Sequence, residues 1–112
     1  MIVSAWHDGG GSFGLRVLAG DVSLYFRPEW EDVRIHLPGE RSPVRVALTG
    51  SFWSSAPELR SPRIKTFLER HDLLGWDRKR PPHFELEPLG NGEFRLHWLE
   101  RIGGQPALPL GE

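Results

Sequence analysis

Apolar and polar positions alternate along six short runs of the chain, and this pattern predicts three β-hairpins. The runs pair in sequence order as Met1–Trp6 with Phe13–Leu18, Val33–Leu37 with Val44–Leu48, and the two arms of Phe84–Leu99. Turn-forming residues fill the connections between the arms of each hairpin. In the second hairpin we expect Leu37 to lie opposite Val44, because this pairing keeps the apolar residues on one face.

The third hairpin has the clearest pattern. Aligning the apolar faces of its two arms gives two cross-strand pairs, Phe84 with Trp98 and Leu86 with Leu96. This register leaves a three-residue loop, 90–92, in which Gly92 takes the left-handed conformation. A two-residue Asn-Gly turn is rejected, because it would place Leu96 opposite Glu87.

One stretch, Ser61–Gly75, has the spacing of an amphipathic helix. Ser61 is a favoured capping residue, and Pro62 suits the first helical position. The apolar face is formed by Ile64, Phe67, Leu68, His71 and Leu74. Gly75 is expected to be the left-handed residue after the last turn. A helix this short is marginal alone, so its apolar face is predicted to lie on the sheet.

The order of these elements, ββ-ββ-α-ββ, predicts an α+β fold. We expect a strongly curved antiparallel sheet or a partly open barrel of about six short strands, with one amphipathic helix packed on it. Ala19–Trp30 is predicted to hold a short turn or one helical turn, and Thr49–Arg60 a connection with at least one buried aromatic side chain. Residues 1–100 are predicted to form a single domain, and 101–112 a loosely ordered tail.

Composition narrows the class of protein. The chain has 112 residues, of which 38% are hydrophobic, so one domain with its own core is expected. Because the chain has no cysteine, disulfides and thiolate metal sites are excluded. Met1–Trp6 lacks the pattern of a signal peptide, and no apolar run approaches the roughly 20 residues that span a bilayer. We therefore expect a cytoplasmic protein without a membrane partner.

Charge is unevenly distributed although the net charge is only −1. Residues 60–80 contain seven basic and three acidic side chains, so the remainder of the chain carries a net charge of −5. The basic residues are Arg60, Arg63, Lys65, Arg70, Arg78, Lys79 and Arg80. Trp53 precedes this segment and Trp76 lies within it, and both are candidate stacking residues, since single-strand binding combines cations with exposed rings. A plain solvated helix face is the simpler interpretation of the same charges.

No catalytic motif can be assembled from the sequence. The run Gly9–Gly14 resembles a phosphate loop, but the other kinase and Walker motifs are missing, so a hairpin turn is expected. His83, Glu85 and His97 should share one face of the last hairpin, where ordinary surface pairing is favoured over a metal site. His71 is expected to be at least half-buried on the helix. No cofactor and no metal are predicted.

Three functional hypotheses follow. The favoured one is a small intracellular, non-enzymatic binding module whose basic helix–linker face contacts nucleic acid or an acidic protein surface. The second is a small-ligand-binding or enzymatic barrel with a site in the concavity of the sheet, involving His71 or His36. The third is a module that works as a homodimer through its uncovered strand edges.

Overall fold

The structure, a computed structural model, describes residues 1–76 and 80–100 and the short strand Leu108–Pro109. Within these residues, eight strands and three helices follow one another. They are β1 (Ile2–His7), β2 (Phe13–Val17), α1 (Ala19–Tyr25), β3 (Asp32–His36), β4 (Val44–Ala47), α2 (Gly50–Ser54), β5 (Glu58–Arg60), α3 (Pro62–Arg70), β6 (His83–Gly90), β7 (Glu93–Glu100) and β8 (Leu108–Pro109).

Seven of the strands form one curved sheet in the order β4-β3-β7-β6-β1-β2-β5. The edge strands β4 and β5 approach each other, so the sheet is nearly closed into a barrel. The strand β8 pairs with the end of β7, outside this order. The predicted α+β fold, a partly open barrel with a helix packed on it, is confirmed. Apart from β8, the predicted tail 101–112 lies outside the described residues.

Two features of the sheet differ from the prediction. The pair β3–β7 is parallel, whereas an antiparallel sheet was expected. These strands belong to different hairpins, and alternation within a hairpin carries no information on how two hairpins join. The strand β5 adds a seventh member to the barrel, and three residues are too few to show a period of two.

The described residues contain three helices where the sequence predicted one. Helix α1 buries none of its residues, and Leu24 on it is 71% exposed. The helical turn expected in this region is present, and its buried aromatic residue is Phe26, which follows the helix. Helix α2 buries Phe52, whose ring centroid lies 5.0 Å from that of Phe26. Helices of seven and five residues are too short for a 3.6-residue period to be recognised.

Helix α3 begins as predicted and ends earlier. The Ser61 hydroxyl accepts a hydrogen bond from the Arg63 backbone N–H at 3.2 Å, and the buried residues are Ile64, Phe67 and Leu68. The left-handed residue is Asp72, with φ of 61°, rather than Gly75. The Leu73 N–H bonds the Leu68 carbonyl at 2.8 Å and the Asp72 N–H bonds the Glu69 carbonyl at 3.0 Å, which is a Schellman motif.

His71 follows the last residue of α3 and is exposed rather than at least half-buried. Because the helix ends at Arg70, the spacing that placed His71 on the apolar face does not continue to it. Its ring lies at the edge of the core, 4.8 Å from the Trp98 ring between centroids.

Two turn predictions are corrected by the observed register. In the second hairpin Val44 pairs with Ile35 rather than Leu37, so the connection is longer than expected. The apolar side chains of both strands still lie on one buried face, as predicted. In the third hairpin the two predicted apolar pairs are present, but Gly90 pairs with Glu93 across a two-residue Asn-Gly turn. A β-bulge between Pro88 and Gly90 absorbs the extra residue, and this is the possibility that the sequence reasoning overlooked.

Candidate anion-binding site

A row of three residues crosses the outer face of the sheet next to α3. Trp6 on β1 pairs with Gly14 on β2, which pairs with Arg60 on β5. Because Gly14 has no side chain, the Arg60 guanidinium reaches across it and lies 4.5 Å from the centre of the Trp6 ring. A Cβ at position 14 would overlap the Leu59 carbonyl oxygen, so the close approach of β2 and β5 requires glycine.

A buried carboxylate orients the same arginine. The Glu58 side chain is only 2% exposed and accepts hydrogen bonds from two guanidinium groups. Arg60 Nη2 donates to Oε1 at 3.1 Å, and Arg16 Nη2 donates to Oε2 at 3.1 Å. A buried charge needs such pairing, so Glu58 fixes one edge of the Arg60 guanidinium. The Arg60 side chain remains 49% exposed, which leaves part of it open to a ligand.

A cavity of about 340 Å³ lies between the β1–β2 turn and the beginning of α3. Its lining residues are Gly11, Ser12, Phe13, Arg60, Ser61, Pro62 and Lys65. The Lys65 ammonium lies 5.6 Å from the centre of the Phe13 ring, within the range of a cation–π interaction. Among the residues that the structure describes, this lining holds two cations and no carboxylate. The cavity is therefore suited to an anionic group.

The glycine-rich turn is held by Asp8. Its Oδ1 accepts hydrogen bonds from the backbone N–H groups of Gly10 at 2.7 Å and Ser12 at 3.2 Å. These bonds, with the one from Gly10 contributing most, hold the pKa of the Asp8 carboxyl below its usual value. The predicted role of this run as a hairpin turn is confirmed, with Gly9 and Gly11 at positive φ.

Three solvent-accessible aromatic rings meet at the turn end of the same hairpin. The His7 ring centroid lies 5.1 Å from that of Trp76 and 5.5 Å from that of Phe13. Phe13 and Trp76 meet edge to face at 6.0 Å between centroids. Trp76, predicted as a stacking residue, is thus half-buried beside the cavity, with part of its surface still accessible.

The other predicted basic residues divide into three groups. Arg63 Nη2 donates to Glu40 Oε1 at 2.9 Å and to the Ser42 carbonyl at 2.8 Å, and Arg70 Nη1 lies 3.6 Å from Glu40 Oε2. Both therefore tie α3 to the β3–β4 connection as well as facing solvent. Arg80 is exposed. Arg78 and Lys79 lie outside the described residues.

Trp53, the second predicted stacking residue, is placed elsewhere. It lies on α2 with its ring against Phe52, 5.2 Å between centroids. It lines a cavity of about 540 Å³ between α1 and α2, to which Phe26, Pro28 and Pro57 also contribute. In the described part of the chain, this lining includes none of the predicted basic residues.

Two histidines pair with carboxylates on the sheet surface. His36 Nε2 lies 2.9 Å from Glu93 Oε1, and this hydrogen bond is the main reason why the pKa of Glu93 is lowered. His97 lies opposite Glu85, on the face that also carries His83, as predicted. Its Nε2 lies 2.7 Å from Glu87 Oε1. Within residues 1–76 and 80–100, no group of three or more His, Asp or Glu side chains is placed to hold a metal ion.

Sequence reasoning missed several members of the site. Trp6 and Gly14 belong to the predicted first hairpin, whereas Glu58 lies far from both in the chain and only the pairing of β2 with β5 brings it to them. The Gly14 position had a recognisable signal, because a glycine inside an alternating strand indicates a close backbone approach. Glu58 had none, since a lone carboxylate in a short connecting segment is usually a surface residue.

Comparison of the chain with family models, with curated proteins and with solved structures found no match. A search of the helices in the described residues found none that is both long and apolar enough to cross a membrane.

Proposed function

We propose that the chain is a non-enzymatic binding module that contacts an anionic partner, either nucleic acid or an acidic protein surface, through the α3 side of the barrel. The observation that carries this proposal is the cavity at the start of α3. It is lined by Arg60 and Lys65, and no carboxylate of the described chain shares its lining.

The arrangement of the two cations supports binding rather than mere solubility. Arg60 is held between Glu58 and the Trp6 ring, so little side-chain freedom is left to lose when a ligand arrives. Lys65 is half-buried above Phe13. Arg63, Arg70 and Arg80 extend the positive surface and would add long-range attraction. We include Arg78 and Lys79 in the proposal because they belong to the basic segment of the sequence.

The proposal is tested with the double variant Arg60→Gln/Lys65→Gln and three fluorescent probes: a single-stranded oligonucleotide, its duplex and polyglutamate. Anisotropy at low salt should show binding of at least one probe, weakening steeply as salt is added. The variant should bind at least about tenfold less tightly, because a hydrogen bond to a charged group contributes roughly 1.5 kcal/mol or more. Arg16 still pairs with Glu58 in this variant, so that the buried carboxylate keeps a partner.

A matched control removes the same charge from another part of the surface. Arg27 and Arg95 are exposed and do not line the cavity, so Arg27→Gln/Arg95→Gln should bind as the unmodified chain does, apart from a small long-range effect. If both double variants bind the probes equally more weakly, binding depends on the overall positive charge and not on this cavity. If none of the three probes binds at low salt, the proposed function is wrong.

The other two hypotheses stay predictions. The barrel interior is filled by core side chains such as Phe67, Phe84 and Phe94, and an apolar cavity of about 540 Å³ lies between α1 and α2 instead. A small uncharged ligand would therefore be sought there rather than beside His71 or His36. Homodimerisation is decided by measuring sedimentation over a range of concentrations.

A further inference from the structure

We infer that the anionic partner is single-stranded nucleic acid, with a backbone phosphate at Arg60 and Lys65 and neighbouring bases stacked on the adjoining rings. This inference rests on the proposed function and adds the chemistry of the partner. The observation behind it is that an aromatic ring adjoins each cation of the site, Trp6 beside Arg60 and Phe13 beside Lys65.

The first stacking surface is Arg60 itself. The guanidinium is planar, its central carbon lies over the Trp6 ring, and one edge is bonded to Glu58. The opposite face is left for a base, and stacking of bases on arginine planes is a common mode of single-strand recognition. The remaining N–H donors point away from Glu58 and can bond a phosphate oxygen.

The second stacking surface lies on the other side of strand β1. Phe13, His7 and Trp76 form a cluster next to Lys65, with ring centroids 5.1 to 6.0 Å apart. Phe13 and Trp76 are only half-buried, and His7 is exposed. Neighbouring residues of a strand point to opposite faces, so Trp6 and His7 place the two surfaces on opposite sides of one hairpin end.

This placement favours a flexible single strand over a duplex or an acidic peptide. A ligand that uses both surfaces must bend around the hairpin end, and a duplex is too stiff over such a short distance and keeps its bases stacked internally. An acidic peptide would satisfy the two cations, but it would leave the rings without a partner. A strand with phosphates and exposed bases uses both kinds of group.

The test compares an ordinary single-stranded oligonucleotide with an abasic one of the same length, using the unmodified chain so that folding is not at issue. The abasic strand keeps its phosphates and lacks only the bases. It should bind roughly 5- to 150-fold more weakly, as expected for the loss of one stacked base or more. The slope of affinity against salt should be the same for both strands, because the phosphate contacts are unchanged.

Two substitutions locate the effect. Trp76→Leu should weaken binding of the ordinary strand at least fivefold and leave binding of the abasic strand unchanged. Trp53→Leu, at the opposite end of the barrel, should leave both unchanged. Circular dichroism of the two variants checks that each is folded.

The outcomes separate this inference from the proposed function. Equal affinity for ordinary and abasic strands, or tighter binding of the duplex or of polyglutamate, would overturn the single-strand inference. The proposed function would survive either result as long as Arg60→Gln/Lys65→Gln still weakens binding. Absence of binding to every probe at low salt would remove both.

Discussion

At the scale of single residues, Gly14 shows how the absence of a side chain leaves room for the proposed site. Gly14 lies between Trp6 and Arg60, and its lack of a Cβ permits both the close approach of Leu59 and the contact of the guanidinium with the indole ring. The neighbouring carboxylate of Glu58 then fixes the guanidinium from one side. One small residue thus couples the packing of β2 and β5 to the geometry of the proposed ligand contact.

We therefore predict that Gly14→Ala lowers the free energy of unfolding by about 1–3 kcal/mol, the usual cost of overpacking a close contact. The added Cβ would meet backbone rather than a movable side chain. Urea denaturation measures the change. As a control, Gly20→Ala on the exposed surface of α1 adds a methyl group with nothing within 4 Å, and it should be neutral or slightly stabilising. Unchanged stability of Gly14→Ala would contradict the described approach of β2 and β5.

At the scale of elements, features encoded by neighbouring residues were predictable from the sequence, and those set by tertiary packing were not. The start of α3 was predicted correctly because Ser61 and Pro62 act locally. Its end was not, because Asp72 takes the left-handed conformation without being glycine. The Asn-Gly turn was missed since a bulge in the preceding strand restored the register, which no local pattern indicates.

The β1–β2 turn gives an element-scale prediction about pH. Asp8 has a lower pKa in the folded state than its ordinary value of 3.8, so its ionised form stabilises the fold above that value. This contribution is lost as pH falls through the lower, folded-state pKa. We expect Asp8→Asn, which keeps the acceptor oxygen, to lower the urea midpoint at about pH 7. The difference from the unmodified chain should shrink towards about pH 2, where both side chains are neutral. A difference that does not depend on pH would mean that the charge of Asp8 has no role in the turn.

At the scale of the whole molecule, the sequence shows the excess of positive charge in residues 60–80, but it does not show which carboxylates these side chains meet. Arg63 and Arg70 both meet Glu40, which is more than twenty positions away, and Arg60 meets a carboxylate that only the barrel buries. The candidate stacking residues separated in the same way, since Trp76 lies beside the cations and Trp53 on α2. Charge composition indicated the side of the molecule on which we propose binding, and the association of distant strands decides which side chains line the cavity there.

The most direct test of the account is a titration of the protein with a single-stranded oligonucleotide, followed in its two-dimensional amide NMR spectrum. Backbone signals of residues 11–13, 60–61 and 63–65 and the indole signals of Trp6 and Trp76 should move progressively, to saturation, as ligand is added. Signals from α1 and α2, including the Trp53 indole, should stay in place. Shifts that concentrate on α1 and α2, or a spectrum that does not change at low salt, would contradict the proposal that the α3 side of the barrel binds an anionic partner.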